Sequence, residues 1–251
     1  MKMSDLLYAS PNNKWARSDY RKNQVDRNYE KEFPSHHHPN YQTSPSDKLR
    51  IINILTHESL HGFNNSSETP VQLGFQGIHP DDEFLLKHSR RVSEICVMLG
   101  KELGLTNGDL RDLKIAGMLH DVGKVYIPHE IMNQPGKLSK ESWDRIKTHT
   151  VLGYELLKEV KEFSSVARFV RSHHERIDGS GYPDGLKGKD IPLGSRIIGV
   201  VDAFEAMTNA RHYRQAISKE KAIEELKKNS GTQFDKVIVD VFINKVVKNL
   251  S

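Results

Sequence analysis

The chain has 251 residues, 36% of them apolar and 28% charged, with a formal charge of +4. That length carries one sizeable core, or one core with a small appendage. A single cysteine, Cys96, excludes an intrachain disulfide, a zinc finger and an iron–sulfur cluster. The modest charge, without a basic stripe interleaved with aromatics, argues against DNA or RNA as a partner.

No run approaches the roughly 20 apolar residues that span a bilayer. The longest candidate, "IIGVVDAF", is interrupted by Asp202. "MKMSDLLYASPNNKW" lacks the apolar core of a signal peptide, so the expectation is a soluble, cytoplasmic protein without a membrane partner. Residues 1–47 are polar and carry no hydrophobic period, which predicts an extended or mobile arm. His36–His38 within it read as a solvated patch, and His57, His61, His79 and His129 as surface histidines. From Lys48 to Phe63, apolar residues at Leu49, Ile51, Ile52, Leu55, Leu60 and Phe63 suit a helix of three or four turns. "NNSSETP" and "LGFQGIHP" then break the pattern. The chain therefore divides into an N-terminal segment, 1–80, and a helical domain, 81–251.

Seven helical stretches follow. "DDEFLLKHSRRVSEICVMLGKELG" opens with acids, which favour a helix N-terminus, and closes at Gly104. A second helix runs from about Asp109 to Asp121 and stops at Gly123, a residue that lets the backbone turn. After a linker with Pro128, Pro135 and Gly136, Ser139 caps a third stretch, "LSKESWDRIKTHTVLGYELLKEV", which Gly153 kinks or divides. "SSVARFVRSHHE" is the fourth, followed by a loop from Asp178 to Gly194. "SRIIGVVDAFEAMTN", "SKEKAIEELKKN" and "FDKVIVDVFINKVVKNL" complete the series. Strand-like alternation is nearly absent, so the expected fold is an all-α bundle with one long central loop.

Histidines and acids recur across these helices. "LHDVGK" places His120 and Asp121 together near a helix end, with Lys124 just beyond. His88 and His149 stand beside apolar positions, His173 and His174 end the fourth helix, and Asp202 sits in an apolar run where an unpaired carboxylate is costly. Seven ligands are too many for one ion and suit two, with Asp121 able to bridge them. Imidazole and carboxylate without thiolate suit iron, manganese, nickel or zinc. Two such ions, with a hydroxide between them, fit phosphoester cleavage.

"LHDVGKVYIP", "PGKLSKESWDRIKTHTVLGYELL" and "HHERIDGSGYPDGLKGKDIPLGSRIIGVVDAFEAMTNARHYRQAIS" resemble, in this order, the HD-GYP branch of the HD phosphohydrolase superfamily. The similarity runs from about Asp81 to Phe242. It implies an HD-domain helical bundle with a long GYP loop, and hydrolysis of cyclic di-GMP to pGpG and often GMP; some members act on cyclic GMP–AMP. It also implies His88, His120, Asp121, His149, His173, His174 and Asp202 as metal ligands, with Asp121 bridging. Lys124 resembles the lysine at the scissile phosphate, Gly181, Tyr182 and Pro183 match the GYP signature, and Arg211 and Arg214 fall where substrate phosphates are met. Tyr182 offers a hydroxyl or ring to a guanine, and the loop a surface for a signalling partner. Two departures stand out. Phe84 occupies the position of a glutamate found in three-metal members, with Glu83 one residue away, so two divalent ions are expected, iron or manganese foremost. His212 stands where the family usually has proline.

Overall fold

The computed structural model describes residues 82–132, 136, 138–209 and 216–250, with side chains from Lys87 onward and that of His129 set aside. The polar arm, the helix expected over 48–63 and the whole 1–80 segment lie outside the described residues. So do the side chains of Glu83 and Phe84, together with Arg211, His212 and Arg214.

Among the described residues the architecture is all α-helical, and the sole bridge outside helices joins Ser230 to Phe234. Helix α1 (Asp82–Glu102) packs on α2 (Asn107–Leu119) and on α7 (Leu193–Thr208). Val92, Cys96 and Leu99 recur every three or four residues on α1, which puts them on one face, and all three are fully buried. Helix α6 (Ser164–Ser172) lies against α2 and α7, and α5 (His149–Leu157) lies against α6. The remaining helices are α3 (His129–Met132), α4 (Lys140–Lys147), α8 (Lys219–Lys228) and α9 (Lys236–Val241).

Helix ends follow local capping. Helix α2 starts earlier than the apolar pattern predicts because Thr106 and Asp109 form a reciprocal box: Asp109 N–H donates to Thr106 Oγ1 at 3.3 Å and Thr106 N–H to Asp109 Oδ2 at 3.1 Å. It ends at Leu119, two residues short of the expected Asp121, and a 3₁₀ turn over Val122–Tyr126 follows. The third stretch is two helices, and the division falls at Thr148 rather than Gly153. Thr148 turns both its N–H and its hydroxyl onto Arg145 O, at 3.1 and 2.7 Å, and ends α4. Gly153 stays helical, and its lack of a side chain lets α5 approach Val170 of α6. Ser139 caps α4 as expected, accepting from Ser142 N–H at 3.1 Å.

The long loop between α6 and α7 is clamped from both sides. Arg171 grips Asp184 with two hydrogen bonds of 2.8 and 2.7 Å, and Glu175 Oε1 accepts the backbone N–H of Asp184 and Gly185 at 2.7 and 3.0 Å. Gly179 adopts φ +84°, a backbone shape that glycine allows. Gly181 is required for a different reason: a Cβ there would stand 2.4 Å from Arg176 N and 2.5 Å from Glu175 Cα.

Candidate metal centre

Five helices deliver the seven candidate ligands to one place. His88 comes from α1, His120 and Asp121 from the end of α2, and His149 from the first residue of α5. His173 and His174 follow the last residue of α6, and Asp202 lies on α7. Neighbouring imidazole centroids lie close together: His88–His120 at 5.2 Å, His120–His173 at 5.3 Å, His149–His173 at 5.4 Å and His173–His174 at 4.0 Å.

A repeated local device aims the rings. His120 Nδ1 lies 2.8 Å from Gly117 O, His149 Nδ1 2.7 Å from Ile146 O and His173 Nδ1 2.7 Å from Val170 O. A carbonyl only accepts, so Nδ1 carries the proton in each, and the Nε2 lone pair is left for the centre. His88 is held differently. Its Nδ1 contacts Glu205 Oε2, and Arg91 Nε donates to the other carboxylate oxygen of Glu205 at 2.6 Å.

The ligand atoms fall into two groups that share Asp121. Asp121 Oδ2 lies 3.3 Å from His120 Nε2, and Asp121 Oδ1 lies 3.4 Å from His149 Nε2. Asp202 Oδ1 completes the first group, 3.2 Å from His88 Nε2 and 3.8 Å from His120 Nε2. His149, His173 and His174 complete the second. His120 Nε2 and Asp121 Oδ1 are buried without a hydrogen-bond partner. Leaving such atoms unpaired costs about 1–3 kcal/mol each, a cost that a divalent cation would remove. The donor set and the stranded lone pairs therefore fit cations.

Electrostatics keep most of the set in ligating form. Burial lowers the pKa of His149 to about 3 and that of His174 to about 4, and burial, reinforced by His174, holds His173 well below its ordinary value. Burial of Asp121 favours its neutral form, but Lys124 and His120 outweigh that and hold its pKa well below the carboxylate range. Burial acts the same way on Asp202, and His88 and His120 overcome it. His88 is the exception. Burial opposes its charge, yet Asp202 and Glu205 raise its pKa to about 9, so a cation there must displace a proton.

A cleft of about 450 Å³ opens beside this centre. His173, His174 and Asp202 line it together with Gly181, Tyr182 and Trp143; Lys147 and Arg176 bring positive charge, and Arg196 is paired with Asp235 at 2.7 Å. Asp202 is thus not sealed in the apolar core, as its sequence context suggests: its side chain is 18% exposed and faces the cleft. The Tyr182 ring packs on His174 at 5.0 Å, and burial raises the pKa of its hydroxyl. Lys124 Nζ sits 2.6 Å from Asp121 Oδ2. Gly123 also acts differently from the turn-forming role read in the sequence. A Cβ there would stand 1.9 Å from His149 O, so it is close approach of α5 that demands glycine.

Sequence reasoning missed Glu205 and Arg91, which support His88. The signal was present: Arg91 follows His88 by three residues and Glu205 follows Asp202 by three, a spacing that returns to the same helix face. Arg171, Glu175 and Asp184 were also unremarked, since a pairing across the loop has no local period.

Residues 77–238 match the family model described as HD domain. The chain is 39% identical over 162 residues to 3'3'-cGAMP-specific phosphodiesterase 1 of Vibrio cholerae, covering 64% of this chain and 38% of that one. It is also 39% identical over 155 residues to the cyclic di-GMP phosphodiesterase response regulator RpfG of Xanthomonas campestris, covering 61% and 41%. It spans about two fifths of the length of these curated relatives. In architecture it is similar to Bd1817, a HDG"Y"P protein from Bdellovibrio bacteriovorus, with TM-score 0.57, 20% identity, and 81% and 69% of the two chains covered. No helix among the described residues is long and apolar enough to cross a membrane.

Proposed function

The chain belongs to the HD domain family, in its HD-GYP branch, and we propose that it is a metal-dependent phosphodiesterase hydrolysing cyclic di-GMP to pGpG, with product chromatography to decide whether cleavage continues to GMP. The observation that carries this reading is Asp121. Its two oxygens are turned to two separate groups of ligands, the arrangement that a pair of adjacent cations requires. His88, His120, Asp121 and Asp202 would hold one ion, and Asp121, His149, His173 and His174 the other. Iron or manganese suits these donors, and nickel or zinc can occupy them. When bound, such a pair supplies a nucleophile from water at neutral pH and neutralises phosphoryl oxygens.

The chain's own groups do the rest. Lys124, anchored to Asp121, brings an ammonium to the leaving 3'-oxygen and offers it a proton. Arg176 and Lys147 give the cleft positive charge for the second phosphate. Arg211 and Arg214 join them on this reading, from a motif outside the described residues. Tyr182 and Gly181 wall the cleft, and the outer part of the loop offers a signalling protein its contact surface. The phosphohydrolase domain occupies 81–251. A second reading, 3'3'-cyclic GMP–AMP as substrate, is favoured by the name of the Vibrio cholerae relative.

The test is turnover of both cyclic dinucleotides under anaerobic conditions, with ferrous iron and manganese loaded separately and products resolved by chromatography. Asp121→Ala should lose metal and turnover together, whereas Lys124→Ala should keep metal and lose most turnover. Two bound metals without cleavage of either dinucleotide would refute the reading. Three metals per chain, with Glu83 among the ligands, would refute the two-metal count.

A further inference from the structure

Helix α4 contributes nothing to the core: none of its residues is buried. Its sequence is charged, "KESWDRIK", yet at its centre stands Trp143, 46% exposed and the one exposed large apolar side chain among the described residues. An indole offers a large, flat contact area, and here it is not spent on holding the helix down. Its position is specific. Trp143 lines the same cleft as His173, His174 and Asp202, and Lys147, one turn further along the same face of α4, lines it too.

Two ring contacts connect it to the candidate metal centre. The Tyr182 ring lies on His174 with centroids 5.0 Å apart and planes inclined by 32°. The Trp143 ring meets Tyr182 with centroids 6.5 Å apart and planes at 80°. Trp143 and Tyr182 therefore form a corner rather than a stack. A planar base laid on the face of one ring turns its edge toward the other, which is the favourable approach for both contacts. The clamp on the loop fixes the Tyr182 side of this corner, since Asp184 and Gly185 are tied to Arg171 and Glu175. The Trp143 side is fixed by a helix capped at Ser139 and closed at Thr148.

We propose that Trp143 is a specificity-determining residue, the platform on which a purine base of the substrate stacks while its phosphate lies at the metal centre. The assignment rests on the cyclic dinucleotide reading above and adds a base-recognition surface to it. Stacking on an aromatic side chain accepts any base, so the platform separates nucleotides from other phosphodiesters and does not tell guanine from adenine. The distinction between cyclic di-GMP and cyclic GMP–AMP then falls to groups that meet base edges.

The experiment uses the full chain, manganese-loaded, with Trp143→Ala and Trp143→Phe. Removing one stacking contact should raise KM for cyclic di-GMP roughly 5- to 150-fold. The kcat should stay within about twofold, because the platform touches no reacting atom, and Trp143→Phe should recover most of the loss. GMP and ribose 5-phosphate serve as paired inhibitors that differ by the base. Trp143→Ala should weaken inhibition by GMP and leave inhibition by ribose 5-phosphate unchanged. The chain has two tryptophans, so in a Trp15→Phe background the indole emission reports on Trp143 alone. GMP should quench it and ribose 5-phosphate should not. An unchanged KM, equal weakening of both inhibitors, or no quenching by GMP overturns the platform and leaves Trp143 as a protein-contact residue. If the unsubstituted chain cleaves no cyclic dinucleotide, the functional reading fails by itself, and the GMP titration still decides the platform.

Discussion

Gly123→Ala is the smallest change that separates the folded scaffold from the ligand set it carries. The added methyl carbon would stand 1.9 Å from His149 O, 2.8 Å from His149 C and 2.7 Å from Gly153 N. All three obstructing atoms are backbone, so no rotamer change relieves the clash. A carbon and a carbonyl oxygen come to rest at about 3.3 Å, so the 3₁₀ turn and α5 must separate by about 1.4 Å. That movement falls between Asp121, two residues upstream, and His149, whose facing atoms are 3.4 Å apart. Overpacking of this kind costs roughly 1–3 kcal/mol, and each of these lowers Tm by about 2–4 °C in a domain of this size. A ligand displaced by an ångström should also weaken the His149, His173 and His174 group at least about tenfold. Calorimetry of the chelated protein and a manganese titration measure the two effects. Gly108→Ala is the control. Its nearest neighbour is Thr106 Oγ1 at 3.9 Å on the exposed side of α2, so alanine there should stabilise by about 0.5–1 kcal/mol. A Gly123→Ala protein that melts with the unsubstituted chain and binds manganese equally would refute the close-approach argument.

Three further outcomes follow from the groups around the ligands. Glu205→Gln removes the charge that steadies His88, and metal affinity should fall about 10- to 100-fold while the fold persists; equal affinity by titration would remove Glu205 from the site. In the chelated protein, His88 is raised from 6.5 to about 9, so its stabilisation is complete below pH 6.5 and is lost as pH climbs through 9. His149 and His174 are lowered to about 3 and about 4, so they withdraw stability as pH falls from 6.5 toward those values. Melting of the metal-free protein should accordingly peak near pH 6.5, and a steady rise to pH 9 would contradict the His88 assignment. Arg171→Ala leaves Asp184 buried without its two-pronged partner, at a cost of about 3–5 kcal/mol. Arg171→Lys should recover only part of this, because the ammonium cannot reproduce the fork. The loop should become sensitive to limited proteolysis in both variants, and an unchanged Tm would dismiss the clamp.

The helical periods and the ligand residues were legible because each is a local signal. An apolar face repeats along its own helix, and a histidine beside a carboxylate announces its chemistry at one position. What the sequence concealed was mostly pairwise. Thr148, not Gly153, ends α4: its amide closes onto Arg145 O three residues back, whereas Gly153 stays helical and is packed against Val170. The need for Gly123 and Gly181 likewise comes from backbone that passes over them, not from their own dihedral angles. Asp202 looked like a charge stranded in an apolar run. The run buries its isoleucines, valines and phenylalanine and leaves Asp202, with Gly199 and Ala203, on the cleft, which the packing of α7 against its neighbours decides.

The same contrast explains how the centre holds its shape. His120, His149 and His173 each stand at a helix end, and each returns Nδ1 to the carbonyl three residues earlier. That bond needs no distant partner: α2 and α6 aim His120 and His173 from their own last turns, and the last turn of α4 aims His149 at the start of α5. His88 lies inside α1, where its neighbours' carbonyls are already engaged in the helix, and it must borrow an acceptor from elsewhere. It takes Glu205 from α7, and Arg91 holds that carboxylate from the next turn of α1. His88 is therefore positioned only when α1 and α7 dock, whereas His149 and His173 of the other group are oriented locally. Loss of α1–α7 packing should then release the cation near His88 before the one near His149.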